Sequence, residues 1–227
     1  MSDTAEKGVH ERLLDRASAG VPAVAVWRPG RYLRFGYRDT RQSGYEAAKT
    51  RAREAGFEPV ERRVGGRAVA TTATTVLFAV AEPGDAADVR TGIGERYDTA
   101  VSSVRQALRN LGVAATRGEP PETYCPGDHS LQCDGKLVGL AQRVTTSGAL
   151  VSGMLYVEDR DELADVLADV YAELGYDFDP TSVGTVADAG GECRFDRVEA
   201  EFRTQLTRTL DAPAAAVEMI RSDTQSG

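Results

Sequence analysis

A cysteine and a lysine eleven residues apart are the residues of this chain best suited to chemistry. Cys125 precedes a Pro-Gly pair, which cannot continue a helix, so its thiol is predicted to lie on a tight turn that a substrate can approach. Lys136 follows a short alternating segment and an Asp134-Gly135 pair typical of a hairpin turn. The thiol could attack a carbonyl carbon while the ammonium hydrogen-bonds its oxygen. The hairpin would bring both side chains to one cleft.

Strands and helices alternate irregularly around this hairpin, which predicts an α+β domain built on one sheet. Residues 22–28 and 32–37 flank a Pro-Gly turn and are predicted to pair, and Asp159 with Glu162 is typical of a capping box. Helices are predicted at 4–18, 42–54, 93–111, 160–174 and 194–210, and further strands at 57–63, 76–81, 129–133, 136–143 and 149–157.

The length of 227 residues predicts a single domain over residues 1–227, with its core at about 20–190. A net charge of −8 argues against nucleic acid as a partner. No transmembrane segment or secretion signal is found, so we expect a cytoplasmic protein with no membrane contact, and its single-domain size favours a monomer. Three cysteines predict free thiols, and 24 arginines against three lysines indicate a halophile-like composition.

Three segments around these residues resemble a known family. Tyr124-Cys125-Pro126-Gly127-Asp128, with Gly135-Lys136-Leu137-Val138-Gly139 and Ala141-Gln142-Arg143, is similar to the lipoate-protein ligases and octanoyltransferases. Within that family, the motifs are most similar to amidotransferases that move an octanoyl or lipoyl group from the glycine-cleavage H protein to other enzymes. The resemblance implies that Cys125 carries the acyl group as a thioester and that Lys136 faces the acyl carbonyl.

A fourth segment, Arg62-Arg63-Val64-Gly65-Gly66-Arg67-Ala68-Val69, resembles the turn that lies over the acyl chain in this family. Paired glycines permit positive φ angles and let backbone N–H groups approach a carbonyl or phosphate. The resemblance therefore implies a set of substrate-binding residues beside the two catalytic ones, namely Arg62, Arg63, Gly65, Gly66, Ala68, Gly135, Gly139 and Gln142.

The resemblance also implies a fold and partners. The fold would be of the class II synthetase/biotin-ligase type, with a mixed, mostly antiparallel sheet flanked by helices. The partners would be an H-protein-like donor and the lipoyl domains of 2-oxoacid dehydrogenases, and no bound cofactor or metal is expected.

Two other functions stay open. An ATP-dependent lipoate-protein ligase would form an acyl-adenylate and need ATP and Mg²⁺. The family's ligases have a His-Asp stretch where this chain has Thr71-Thr72-Ala73-Thr74-Thr75, which argues against nucleotide activation. The same departure keeps open a binding module that retains the fold without turnover.

His129 and the other cysteines leave two further alternatives. His129 could act as a base toward Cys125 if the turn folds back, although a polar strand residue is the simpler interpretation. Cys125, His129, Cys133 and Cys193 could also bind zinc, but a strand through 129–133 would place only His129 and Cys133 on one face.

Overall fold

The computed structural model describes residues 4–62, 66–85, 91–210, 212–213 and 216–220. Within these ranges, short 3₁₀ turns lie at Asp39–Arg41 and Pro180–Ser182. The helices are α1 (Thr4–Ser18), α2 (Tyr45–Glu54), α3 (Ile93–Asn110), α4 (Arg160–Leu174) and α5 (Phe195–Thr207). The strands are β1 (Ala23–Trp27), β2 (Tyr32–Phe35), β3 (Glu58–Glu61), β4 (Val69–Thr71), β5 (Val76–Pro83), β6 (Thr116–Arg117), β7 (Ser130–Gln132), β8 (Lys136–Val144), β9 (Gly148–Leu155) and β10 (Glu218–Ile220).

The described strands form a large and a small sheet. The large sheet has the order β10-β1-β5-β9-β8-β7-β6, and only its β1–β10 pair is parallel among the described strands. The small sheet has the order β3-β2-β4. The predicted α+β class with a mostly antiparallel sheet is therefore confirmed, whereas the expectation of one sheet was wrong.

Continuous apolar runs in β1 and β5 explain why the centre of the large sheet is buried on both faces. Val24 of β1 and Phe78 of β5 pack with residues of α3 and α5, whereas Ala25 and Leu77 pack with α1. Successive side chains of a strand point to opposite faces, so a continuous apolar run can serve two helical layers. A separate core joins the small sheet to α2 and α4.

The functional hairpin lies where these two cores meet. β7 and β8 pair antiparallel around the Asp134-Gly135 turn, as predicted. The backbone of Lys136 also bridges Val183, in the segment after α4. Tyr124 and Cys125 precede this hairpin and pack into the core of the small sheet. The turn is therefore held by both sheets.

Two local predictions were wrong. β1 does not pair with β2, because β1 lies between β10 and β5 in the large sheet and β2 lies between β3 and β4 in the small one. Asp159 does not cap α4 with its side chain: it has φ = 64°, and its carboxylate accepts a hydrogen bond from the Thr74 hydroxyl at 2.8 Å. The sequence prediction also missed β4, β6 and β10.

In the part of the chain that the structure describes, no helix is long and apolar enough to cross a membrane. All three cysteines are free thiols, as predicted.

Phe202 of α5 should contribute strongly to stability. It is fully buried and its ring lies 5.1 Å from that of Phe78. Phe202→Ala should lower the free energy of unfolding by about 3–5 kcal/mol, because it removes apolar contact and leaves a cavity. Urea unfolding followed by circular dichroism measures this loss. Tyr37→Ala is the matched control, since Tyr37 is 55% exposed and its loss should cost less than about 0.5 kcal/mol. Equal losses would contradict the described packing.

Candidate active site around Cys125

Cys125 lies on a turn whose backbone is unusual for a residue with a side chain. Its φ is 38°, in the left-handed region that glycine adopts readily and other residues seldom do. Its N–H donates to the Tyr171 hydroxyl at 2.7 Å, and that hydroxyl donates to the Ala68 carbonyl at 3.0 Å. Burial raises the pKa of Tyr171 well above its ordinary value, so the hydroxyl keeps its proton for this second bond. One tyrosine of α4 thus holds the cysteine turn against the start of β4.

Lys136 lies under the same turn and is 1% exposed. Its ammonium donates to the carbonyls of Tyr124, at 3.1 Å, and Cys125, at 2.8 Å. Its third partner is the Glu119 carboxylate at 2.9 Å. The Tyr124 hydroxyl returns a hydrogen bond to the Lys136 carbonyl at 3.1 Å. A buried ammonium needs such partners, because burial removes its water shell.

Glu119 links the lysine to the residues that follow the cysteine. Its carboxylate accepts the Gly127 N–H at 3.0 Å and the Ser130 hydroxyl at 2.7 Å, in addition to the Lys136 ammonium. The sequence pattern places Glu119 in a connecting loop and gives no sign of this role. The sequence could have suggested this role for Glu119 only through a general rule, that a buried lysine needs a carboxylate partner.

Arg62 and Gly66 lie beside the thiol. An Nη2 hydrogen of Arg62 points to Cys125 Sγ across 3.6 Å, and the same nitrogen donates to the Arg67 carbonyl at 2.7 Å. A Cβ atom on Gly66 would lie 2.8 Å from Sγ and 3.1 Å from Arg62 Nη2. Only a residue without a side chain can therefore occupy position 66, where φ is 94°.

Most of the described residues predicted from the motifs come together at this turn. Ala68 reaches Cys125 through Tyr171, and a Cβ on Gly139 would lie 3.6 Å from Lys136 Cε. Gly135 has a different neighbour: a Cβ on it would lie 2.6 Å from the Gly184 nitrogen, so it packs against protein backbone. Arg63 and Gly65 lie outside the described residues.

Gln142 lies apart from the cysteine turn. It follows Lys136 by six residues along β8, which at a rise of about 3.3 Å per residue places it about 20 Å away. Its Oε1 accepts from Arg96 Nε at 2.9 Å, and its Nε2 donates to the Ile93 carbonyl at 3.2 Å. The structure therefore places Gln142 against the start of α3, apart from the thiol.

His129 contacts Tyr97 and Arg117. Its ring stacks on Tyr97 at 3.6 Å, and Arg117, which can only donate, places its Nη2 2.9 Å from Nδ1. Burial, with the charge of Arg117, lowers the pKa of His129. This nitrogen faces Arg117 rather than Cys125. Among the described residues, no group of three His, Cys, Asp or Glu side chains is arranged to hold a metal ion.

The threonine run forms its own turn between β4 and β5. The Thr75 hydroxyl accepts the Thr72 N–H at 2.9 Å, and the hydroxyls of Thr72 and Thr74 are 3.0 Å apart. The threonine hydroxyls hydrogen-bond within the turn, and that of Thr74 also donates to the Asp159 carboxylate. These hydroxyls therefore stabilise the turn itself.

A cavity of about 490 Å³ lies elsewhere, between α3 and the large sheet. Its lining includes Glu82, Arg96 and Val151 and none of the residues around Cys125. It is therefore separate from the thiol site.

Comparisons with known proteins identify the family of this chain. The family model described as the lipoyl protein ligase A/B catalytic domain matches residues 6–206. An octanoyl-[GcvH]:protein N-octanoyltransferase of Oceanobacillus iheyensis is 24% identical over 75% of this chain and 64% of its own length. Its counterpart in Exiguobacterium sibiricum is 31% identical over 52% of this chain. The chain spans 64% and 42% of the lengths of these two relatives.

Solved structures share the fold. The bipartite lipoate protein ligase of Thermoplasma acidophilum, studied with its E2 lipoyl domain, has a TM-score of 0.66 at 18% identity and covers 98% of this chain and 82% of that one. A lipoate-protein ligase A bound with ATP has a TM-score of 0.64 at 20% identity, over 89% of this chain and 75% of that one. The family model matches most of the length of this chain, which shows that the chain belongs to the lipoyl protein ligase A/B catalytic-domain family.

Proposed function

We propose that this chain transfers an octanoyl or lipoyl group from a lysine of one lipoyl-carrier protein to a lysine of another, through a thioester on Cys125. The observation that carries the proposal is the Cys125 turn. A residue with a side chain is held at positive φ by a buried lysine and a buried tyrosine. Such strain persists only where surrounding structure imposes it, and it is concentrated at functional sites.

The proposed reaction exchanges one amide for another. Cys125 Sγ attacks the acyl carbonyl, the carbon–nitrogen bond of the donor amide breaks, and the thiol proton ends on the departing lysine amine. The amine of the acceptor lysine then attacks the thioester, the carbon–sulfur bond breaks, and the acceptor's proton returns to the thiol. The bonds formed and broken balance without ATP, so the proposal requires no bound cofactor.

The relatives indicate the class of partner. The two curated relatives are named octanoyl-[GcvH]:protein N-octanoyltransferases, and the Thermoplasma ligase was studied with its E2 lipoyl domain. We therefore infer an H-protein-like donor and lipoyl-domain acceptors for this chain. A cytoplasmic monomer is part of the same proposal.

Acylation of Cys125 is the central test. Purified protein incubated with octanoylated H protein, without ATP, should gain one octanoyl group in its intact mass, and hydroxylamine should remove it. Cys125→Ala should abolish the adduct. Cys193→Ala should keep it, because burial raises the pKa of Cys193 and leaves its thiol less reactive.

Two results would contradict the proposal: an adduct that survives in Cys125→Ala, or no adduct in the wild type while an acceptor is labelled only with ATP and free octanoate. The second result would support the ATP-dependent ligase instead.

Glu119 should control how fast this adduct forms. Glu119→Gln removes the charge that pairs with Lys136 and weakens its hold on the Gly127 N–H and the Ser130 hydroxyl. A loosened turn misplaces the thiol, so the rate of adduct formation should fall about tenfold to a hundredfold. Rapid-quench mass spectrometry measures this rate.

Glu122→Gln is the matched control, since it makes the same charge change at an exposed position three residues away. Its adduct should form at the wild-type rate. Equal rates for both variants would show that the Glu119 contacts do not position the thiol.

A further inference from the structure

An exposed tyrosine begins the loop that lies beside the thiol. Among the described residues, Tyr37 is the most exposed of the large hydrophobic side chains. It follows Gly36, whose backbone packs closely on Gly66, since a Cβ on Gly36 would lie 2.1 Å from the Gly66 carbonyl oxygen. Gly66 in turn packs on Cys125, because a Cβ on it would lie 2.8 Å from Sγ. The loop between β2 and α2 is therefore part of the surface next to the thiol.

Three arginines lie on this surface with two tyrosines. The guanidinium of Arg41 lies 4.2 Å from the centre of the Tyr37 ring and donates to the Tyr37 hydroxyl. The guanidinium of Arg67 lies 4.4 Å from the centre of the Tyr176 ring. Arg38 is exposed in the same loop as Tyr37 and Arg41. We call these five residues the arginine rim.

A buried carboxylate joins the two halves of the arginine rim. Asp39 is fully buried, and its Oδ2 accepts the Gly36 N–H at 2.7 Å. Burial raises the pKa of Tyr176, and the charge of Asp39 raises it further. Burial also raises the pKa of Asp39 itself, while the charge of Arg67 acts against that rise. Tyr176 and Arg67 are thus neighbours of the loop that carries Tyr37 and Arg41.

The arginines of the rim are available to a partner. Within the described part of the chain, Arg38, Arg41 and Arg67 form no ion pair with a carboxylate. Asp177, beside Tyr176, is exposed, so the rim and this neighbour together carry three positive charges and one negative charge. The whole chain has 35 acidic and 27 basic residues. The rim is therefore a positive surface on an acidic protein.

A carrier protein has to contact this part of the surface. Its acyl group is attached to a lysine, whose stem is only four carbons long, so the amide meets Sγ only when the carrier lies against the residues beside the thiol. An acidic carrier is repelled by the net charge of −8 and attracted by the rim. Asp128, three residues after Cys125, is exposed and negative, so the positive surface does not extend along the cysteine turn.

We propose that the arginine rim is the docking surface for an acidic carrier domain, and that it holds this domain while the acyl-lysine enters the Cys125 turn. The inference rests on the proposed thioester transfer and names the surface chemistry of its partner. Tyrosine and arginine side chains are the residues that most often dominate binding energy at protein interfaces. Stacking on Tyr37 and Tyr176 orders two of the three guanidinium groups before the carrier arrives, which lowers the entropy lost on binding.

The experiment compares the wild type with the double variant Arg38→Gln/Arg41→Gln. Arg197→Gln is the control, because it removes a charge from an exposed position of α5, which packs on the large sheet. Single-turnover formation of the octanoyl-enzyme from octanoylated H protein is followed by mass spectrometry over a range of carrier concentrations. At low salt the double variant should need about fivefold more carrier for half-saturation, with its limiting rate constant within about twofold of the wild type. Arg197→Gln should match the wild type in both values.

Salt should remove the difference between the double variant and the wild type. At about 1 M salt the Debye length is about 3 Å, so the wild type should need more carrier and the two proteins should converge. Alkylation of Cys125 by iodoacetamide, a small neutral reagent, should proceed at the same rate in both, which shows that the turn is intact in the variant.

Charge reversal tests whether the contact is direct. Arg41→Glu should raise the half-saturating carrier concentration more than the double variant does, because it adds repulsion. Changing the carboxylates around the modified lysine of the carrier to lysine, one at a time, should restore part of the affinity for Arg41→Glu at the carboxylate that Arg41 contacts. The same carrier variant should bind the wild type more weakly than the unchanged carrier does.

The outcomes separate the two claims. A wild type that forms no octanoyl-enzyme would overturn the transfer function, and this inference with it. A wild type that forms it would overturn the docking role alone in either of two cases. In the first, the double variant has an unchanged half-saturating carrier concentration. In the second, salt leaves the half-saturating concentration of the wild type unchanged.

Discussion

The buried ammonium of Lys136 is the contact on which the rest of this site depends. Its three bonds join the start of β8, the carbonyls of the cysteine turn and the loop that carries Glu119. A charge in this position is stable only while every partner is present, because a buried ion that loses a partner keeps the full cost of its desolvation. The ion therefore ties three segments that are separate in sequence into one arrangement.

Tyr171 holds the same turn through hydrogen bonds of an uncharged hydroxyl. It joins α4, the segment before β4 and the Cys125 backbone with one hydroxyl that both accepts and donates. Lys136 holds the carbonyl side of the turn and Tyr171 holds an N–H of it. Between them they keep Cys125 at a φ of 38°, where its thiol lies against Gly66 and Arg62. The same bonds occupy the three hydrogens of the Lys136 ammonium and the N–H of Cys125.

The small sheet supports one side of the cysteine turn. Its three described strands and the helices α2 and α4 form a core of their own beside the large sheet. The segment from Arg62 to Ala68 joins two strands of the small sheet, and the hairpin of Lys136 belongs to the large one. The site thus forms at a junction of two cores. Sites at such junctions gain precision because rigid elements support them from both sides.

Local patterns in the sequence were enough to identify many parts of this protein. Turns, hairpins and apolar periodicity depend on neighbouring residues, so they can be read from a short stretch of sequence. They correctly predicted the β7–β8 hairpin around Asp134-Gly135, the helix α3 and the strand β5. The family motifs likewise selected Arg62, Gly66 and Ala68, which the fold brings to the thiol. Tertiary structure decided the rest: which strands pair, where Gln142 lies, and that Glu119 and Tyr171 hold the nucleophile. Those outcomes depend on contacts between residues far apart in the chain, where the burial of one group creates the need for another, and no short window of sequence contains both.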